Sequence, residues 1–267
     1  MNDGRIGPKN LWGDRPAPEQ GEIQRLGIGP LTLWIRGEAN EVWLAHARTA
    51  EGEMPPSEPP EEGQWSRWAL QDAPAHLRIT PVLPDRALVV KPEHPFTLLR
   101  RASARIYMRI PAWIRVEAVD QQSRSASILS EIPTVQLSDT WWGDFIDGEL
   151  SYWLSTSGRR RLTPDLFQSH LVMSAVQLDN LSADDLQVEK LSLRVEHLSV
   201  YEKDGWLWAE EVRVGYHGED EGSEIHMDDA PPREADGARE ISPARAQKRS
   251  FRTRTFARLR ALSGLGG

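Results

Sequence analysis

The chain has 267 residues, of which 39% are hydrophobic, and it carries a formal net charge of −8. No apolar run approaches the roughly 18–20 residues that a membrane-spanning helix needs, and the N-terminus lacks the apolar core of a secretory signal. Cysteine is absent, which excludes disulfides, thiolate metal sites and cysteine nucleophiles. These features favour a cytoplasmic protein, and the overall acidity argues against a general nucleic-acid binder.

The N-terminal 21 residues are rich in Gly, Pro and charge, and they predict an irregular segment. From residue 22 to 217, short alternating or apolar runs are separated by prolines and polar turns, which is typical of antiparallel strands. Residues 31–36 and 41–48, for example, flank a polar turn and predict a hairpin. We therefore expect an all-β body over 22–217. Its fold is predicted to be antiparallel and β-sandwich-like, with the option of two packed lobes that divide near residue 100.

The longest strand-like segment covers residues 103–119, with Pro111 near its middle. Because proline cannot donate a ladder hydrogen bond, we expect an edge, a bulge or a bend there. One face of the alternating pattern is apolar, and the other is basic and aromatic. This second face is a candidate site for an anionic ligand or partner, with internal ion pairs as the structural alternative. Its residues are Arg105, Tyr107, Arg109, Trp113 and Arg115.

Residues 138–150, SDTWWGDFIDGEL, combine four carboxylates with two tryptophans and a phenylalanine. The acids are five, three and two residues apart, which matches no calcium-binding loop, and we predict no metal site. Asp144, Asp147 and Glu149 are weak catalytic candidates, since a glycosidase pair needs carboxylates about 5–10 Å apart across a cleft. The structural alternative is that glycines form turns, indoles fill the core and the acids pair with the arginines of the 103–119 strand.

Residues 155–165, STSGRRRLTPD, place Arg159, Arg160 and Arg161 directly after a predicted turn. Three adjacent guanidinium groups can receive a phosphate or an acidic partner, and a solvated basic loop is the alternative. The chain contains no nucleophile elbow, phosphate loop, dinucleotide fingerprint or zinc-protease motif. We therefore predict no cofactor and lean towards a protein that is not an enzyme.

The C-terminal region divides into two oppositely charged segments. Residues 217–240 hold nine acidic residues and two arginines, whereas residues 241–267 hold seven basic residues and no acidic one. We expect a disordered acidic linker over 218–240, followed by a basic tail over 241–267 with a short amphipathic helix. This helix is predicted to contact an anionic membrane or a partner. The residues concerned are Arg252, Arg254, Phe256, Arg258, Leu259, Arg260 and Leu262.

Four segments of the body together resemble a known family, the archaeal and bacterial domain of unknown function 432. They are "LWG" near the start, "RIYMRIPAWIRV", "EIPTVQLSDTWWGD" and "GELSYWLSTSGRRR", and the resemblance extends over about residues 10 to 217. It implies no established activity, cofactor or catalytic residue. It does imply an accessory role, because members of the family accompany small-conductance mechanosensitive channel proteins.

Taken together, the sequence predicts a non-enzymatic cytoplasmic binding or accessory protein, peripheral to the membrane. Its partner is expected to be a protein, such as a mechanosensitive channel, reached through the basic C-terminal tail. A carbohydrate-active or carbohydrate-binding β protein that uses the stretch Trp141–Glu149 is one alternative. A structural subunit of a larger complex is the other.

Overall fold

The computed structural model describes residues 11–120, 125–143, 146, 148–218, 222–246 and 250–253. Within these residues the chain forms 22 strands and four 3-10 turns, which confirms the all-β prediction. The strands are β1 Gly13–Pro16, β2 Ile23–Ile28, β3 Leu31–Glu38, β4 Glu41–Arg48, β5 Ser66–Ala69, β6 His76–Val82, β7 Leu88–Pro92, β8 Phe96–Leu98, β9 Ser103–Pro111, β10 Trp113–Val119, β11 Ala126–Pro133, β12 Ser138–Trp142, β13 Glu149–Gly158, β14 Leu171–Asn180, β15 Leu186–Val188, β16 Leu191–Leu193, β17 Val200–Lys203, β18 Trp206–Ala209, β19 Val212–Gly218, β20 Gly222–Met227, β21 Arg239–Ser242 and β22 Ser250–Thr253. The turns are Glu62–Gln64, Pro164–Leu166, Val195–His197 and Arg233–Ala235.

The first lobe consists of two four-stranded antiparallel sheets that share one core. Sheet I has the order β2-β3-β4-β5, and sheet II has the order β1-β6-β10-β11. Apolar side chains from alternate positions of the two sheets, such as Leu33 and Ile114, meet in this core and are fully buried. The alternation is what places them there, because successive residues of a strand point to opposite faces of the sheet.

The second lobe packs sheet III against sheet IV. Sheet III has the order β12-β13-β7-β16, and sheet IV has the order β21-β17-β18-β14-β19-β20-β22, with β9 paired to β14. Side chains such as Val90, Leu154 and Val176 form a shared core, which gives the sandwich arrangement that the sequence predicts. The structure differs in one respect, since β13 pairs with β7, and β14 with β18 and β19, in parallel.

Pro111 marks the place where the chain passes from one lobe to the other. Strand β9 ends at Pro111 in sheet IV, and β10 begins at Trp113 in sheet II, so the bend that the proline predicts is present. The chain crosses between the lobes more than once, because β6 and β10 belong to the first lobe and β7 and β9 to the second. Two packed lobes are therefore present, but no single boundary near residue 100 separates them.

The C-terminal segment differs from its predicted organisation. Strands β20 and β21 lie within the stretch 218–240, or extend just beyond it, where the sequence predicted a disordered acidic linker. Ile225 and Met227 alternate with polar residues, and both are 1% exposed in the second core, so burial overrides the acidic composition. Strand β22 then pairs with β20 and includes Arg252, which the sequence placed in a helix. The remaining predicted helix residues, from Arg254 to Leu262, lie outside the described part of the chain.

The N-terminal segment also carries more structure than its composition indicates. Strand β1 lies within the predicted irregular region and pairs antiparallel with β6. Asp14 accepts a hydrogen bond of 2.6 Å from the guanidinium of Arg78 on β6, and this contact helps to hold the short strand in place. None of the described residues forms a helix of the length and apolar character that crossing a membrane requires.

Candidate functional site

A cleft of about 390 Å³ lies where β7 and β13 end in sheet III. The segment that follows β7 forms one wall, and the segment that follows β13 forms the other. The two strands run parallel, so both chain segments leave the sheet at the same edge. The lining residues are Pro92, Glu93, His94, Phe96, Gly158, Arg159, Arg160, Arg161 and Thr163.

Gly158 allows the arginine segment to approach the body closely. A Cβ atom at this position would lie 2.8 Å from the Cγ2 atom of Ile106 on β9, so only glycine fits without displacement of the core. The carbonyl oxygen of Gly158 also accepts a hydrogen bond of 2.8 Å from the amide of Glu93, which joins the two walls of the cleft. The base of the cleft is therefore fixed by packing and by backbone hydrogen bonds.

Arg159 anchors the segment through both its backbone and its side chain. Its amide donates to the carbonyl of Tyr107 at 2.9 Å, and its carbonyl accepts from the amide of Tyr107 at 2.7 Å. Its guanidinium lies 3.1 Å from Asp165 and 3.7 Å from Glu93. The charge of Arg159 is therefore largely committed to internal carboxylates, and this residue serves to position its neighbours.

Arg160 and Arg161 differ from Arg159, because no carboxylate of the described residues forms an ion pair with either of them. Both side chains are exposed, and the guanidinium of Arg160 lies over the ring of Phe96, 5.4 Å from its centroid. A cation held on an aromatic face keeps N–H groups that can still donate to an anion. The cleft therefore presents two positive charges on a rigid backbone.

The basic face of β9 is engaged inside the molecule. Arg105 donates to both carboxylate oxygens of Glu211 at 2.9 and 2.8 Å, and to Glu234 at 2.9 Å. The hydroxyl of Tyr107 donates to Glu234 at 2.7 Å. The hydrogen bonds that Arg105 donates to Glu211 raise the pKa of Arg105. Burial acts to raise the pKa of Glu234, but the hydrogen bonds donated by Tyr107 and Arg105 outweigh it and lower this pKa.

The remaining residues of that predicted face divide between the two lobes. Arg115 on β10 donates to Glu131 at 2.7 Å, and Glu131 also accepts from Arg245 at 2.6 Å. Trp113 lies beneath the guanidinium of Arg245, at 5.4 Å. Arg109 lies on β9 beside Arg105 and Tyr107, and its charge acts on the buried His170. The internal ion-pair alternative therefore describes Arg105 and Arg115.

The acidic and aromatic stretch forms the β12–β13 hairpin at an edge of sheet III. Glu149 forms an ion pair of 2.7 Å with Arg194, and not with the β9 and β10 arginines. Asp144 and Asp147 lie outside the described residues. Trp142 is 7% exposed, as a core indole should be, whereas Trp141 is 54% exposed. Of the three acids, Glu149 therefore pairs with an arginine of the second lobe, and the carbohydrate alternative stays a prediction.

In the described part of the chain, no group of three or more His, Asp and Glu side chains could hold a metal ion.

The sequence indicated only one of the two walls of the cleft. The arginine triplet indicated one wall, but Glu93, His94 and Phe96 come from a segment more than 60 residues earlier. Apart from its prolines, that segment carries no sequence signal of a site. Only the parallel pairing of β7 with β13 brings the segment close to the arginines.

Comparison with known proteins identifies a family and no individual relative. No curated protein and no solved structure matches the chain at a significant level. The model of the family described as "Protein of unknown function (DUF432)" matches residues 11–260, which is nearly the whole chain and includes the strands beyond residue 217. The chain therefore belongs to the DUF432 family.

Proposed function

We propose that the protein is a non-enzymatic binding protein whose cleft holds an anionic group, phosphate or carboxylate, of a partner. The observation that carries this proposal is the pair Arg160 and Arg161, for which no carboxylate of the described residues supplies an ion pair. By contrast, Arg105, Arg115, Arg159 and Arg194 each contact a carboxylate. Two uncommitted guanidinium groups at one cleft form a site that an incoming anion can satisfy.

The arrangement supports binding better than it supports catalysis. Arg159 and Gly158 fix the backbone, so little backbone conformational freedom is lost when an anion binds. Guanidinium groups stay charged at every physiological pH and donate in a planar fork that suits phosphate and carboxylate oxygens. They cannot serve as proton acceptors, so Arg160 and Arg161 have an electrostatic and orienting role.

Calorimetric titration with inorganic pyrophosphate and with diglutamate tests the proposal. Replacement of both arginines (Arg160→Gln with Arg161→Gln) is expected to weaken binding by about tenfold or more, since a hydrogen bond to a charged group contributes about 1.5–3 kcal/mol. The matched control is Arg233→Gln with Arg239→Gln, which removes the same charge from side chains that are 80% and 78% exposed elsewhere. Equal loss in the two double variants, or no binding by the unaltered protein, would contradict the proposal.

The wider role that fits this binding activity is that of a cytoplasmic accessory protein beside a membrane protein. Support comes from the composition of residues 248–267, which hold six basic residues and no acidic one. A segment of this kind is attracted to anionic lipid surfaces and to acidic partners. The membrane contact itself is a prediction that truncation of the chain after Thr253 can test.

A further inference from the structure

A second pair of cations lies on the outward face of sheet III. The ammonium of Lys91 lies 5.3 Å from the ring centroid of Trp153, and the ammonium of Lys190 lies 5.4 Å from the same centroid. No carboxylate of the described residues forms an ion pair with either lysine. Two cations thus converge on one indole, which stabilises their positions without neutralising their charge.

Strand alternation explains why these side chains meet. On β7 and β13, Val90 and Leu154 point into the core of the second lobe. Their neighbours Lys91 and Trp153 therefore point outward. Lys190 directly precedes β16, which pairs with β7 on its other side, so the three side chains lie across adjacent strands.

The lysine pair adjoins the arginine cleft through the backbone of β7. Lys91 is followed directly by Pro92, the first residue of the cleft wall. The carbonyl oxygen of Lys91 lies 3.8 Å from the position that a Cβ atom on Gly158 would take. Val89, which pairs with Trp153, lies three residues before Pro92 on β7. This separation corresponds to about 10 Å at the usual strand rise. An extended peptide covers that distance with about three or four residues.

The chemistry of the two lysines and of Arg160 and Arg161 favours a ligand with charged groups over a ligand whose rings would stack. The rings of Trp153 and Phe96 are approached by Lys91, Lys190 and Arg160, so stacked bases or sugars would have to displace these cations. Carboxylates need no open ring face, because they can reach the N–H groups of the cations directly. Glu93, which lines the cleft, and Asp165 both contact Arg159, and neither forms an ion pair with Arg160, Arg161, Lys91 or Lys190.

From these observations we infer that Lys190, Lys91, Arg160 and Arg161 form one binding row for an extended acidic segment of a partner protein. This inference rests on the proposed function, because it takes the anionic group in the cleft as one end of a longer ligand. Successive acidic side chains of the segment would occupy the cleft and the lysine pair in turn. Occupancy of both subsites by one chain raises affinity, since the second contact is intramolecular.

Calorimetric titration of the full chain with diglutamate and hexaglutamate at low salt tests the inference. Hexaglutamate is expected to bind about tenfold more tightly than diglutamate. The double variant Lys91→Gln with Lys190→Gln should lose this gain and keep its affinity for diglutamate. The variant Arg160→Gln with Arg161→Gln should weaken the binding of both peptides, and Arg233→Gln with Arg239→Gln should change neither.

The outcomes separate this inference from the proposed function. If diglutamate or pyrophosphate binds and hexaglutamate binds no more tightly than diglutamate, the binding row is wrong and the proposed anion site in the cleft is retained. If none of the three probes binds, both the binding row and the proposed function are wrong. A thymidine oligonucleotide or a polyphosphate of six charges that binds more tightly than hexaglutamate would overturn the assignment to a protein segment. A gain that persists in the lysine variant would place the second contact elsewhere.

Discussion

At the scale of single residues, His170 joins the two lobes. It directly precedes β14 of the second lobe, and its carbonyl accepts a hydrogen bond of 2.9 Å from the amide of Ala112. Its ring packs so tightly against Gly29 of the first lobe that a Cβ there would lie 2.1 Å from the Nδ1 atom. Gly29 has a φ of +58°, a conformation that favours glycine. The imidazole is therefore held in a closed contact that leaves little room for water.

This environment predicts a pH dependence of stability. Burial, aided by the charge of Arg109, lowers the pKa of His170 to about 4 from an unfolded value near 6.5. Between these two values the unfolded chain takes up a proton and the folded chain does not, so stability decreases as the pH falls from 6.5 to 4. The loss that His170 causes should reach about 3 kcal/mol, since each pKa unit corresponds to about 1.4 kcal/mol.

Urea denaturation of the unaltered protein and of His170→Asn across this pH range measures the effect. The variant should show a shallower dependence on pH, because asparagine does not titrate. His226→Asn serves as the control, since that side chain is 55% exposed. An NMR titration of the His170 ring gives a direct reading, and a midpoint near 6.5 would contradict the prediction.

At the scale of elements, the 103–119 segment shows what alternation can and cannot predict. The apolar face was identified correctly, and Ile106, Met108, Ile110, Ile114 and Val116 are all fully buried. The pattern could not show that the first three belong to one core and the last two to the other. Alternation reports only which face is buried, and the change of sheet at Pro111 depends on contacts with distant strands.

For the polar face of the same segment the sequence allowed two interpretations, a binding site for an anion and a set of internal ion pairs. Residues distant in the chain decide between them for Arg105. Arg105 meets Glu211 and Glu234, which lie 106 and 129 residues later in the chain. Glu234 comes from the stretch predicted to be disordered, so the sequence offered no partner for Arg105 at that place. Long-range pairing of this kind leaves no signal in local spacing.

The Arg105 cluster should contribute substantially to stability. Its three charged side chains are between 13% and 17% exposed, so removal of the cation leaves two poorly solvated carboxylates close together. We expect Arg105→Met to lower the free energy of unfolding by about 3 kcal/mol. The control is Arg239→Met, whose side chain is 78% exposed and lies 3.9 Å from Glu202, outside the cluster, and here the loss should stay below about 1 kcal/mol. Chemical denaturation measures both, and equal losses would show that the cluster is only a surface contact.

At the scale of the whole molecule, strands β20 to β22 show that the folded unit continues past residue 217. The acidic composition of residues 217–240 predicted a linker, yet Ile225 and Met227 fill the core of the second lobe. Two apolar residues among nine acidic ones are a weak signal, and their pairing with β19 is what gives them weight. The match of the family to residue 260 agrees with a domain that continues well past residue 217.

Two truncations test this extent of the domain. A chain that ends at His217 loses Ile225 and Met227, each contributing about 1.5–3 kcal/mol through burial, together with Glu234 of the Arg105 cluster. It should give aggregated protein or a broad, uncooperative thermal transition by circular dichroism. A chain that ends at Thr253 keeps every described strand and removes three of the seven basic residues of the tail, Arg254, Arg258 and Arg260. It should therefore unfold cooperatively within a few degrees of the full chain. The Thr253 chain is therefore the proper comparison in a flotation assay with anionic liposomes, where weaker flotation than the full chain supports the tail contact. Cooperative unfolding of the His217 chain at the full-length temperature would show that β20 to β22 are dispensable.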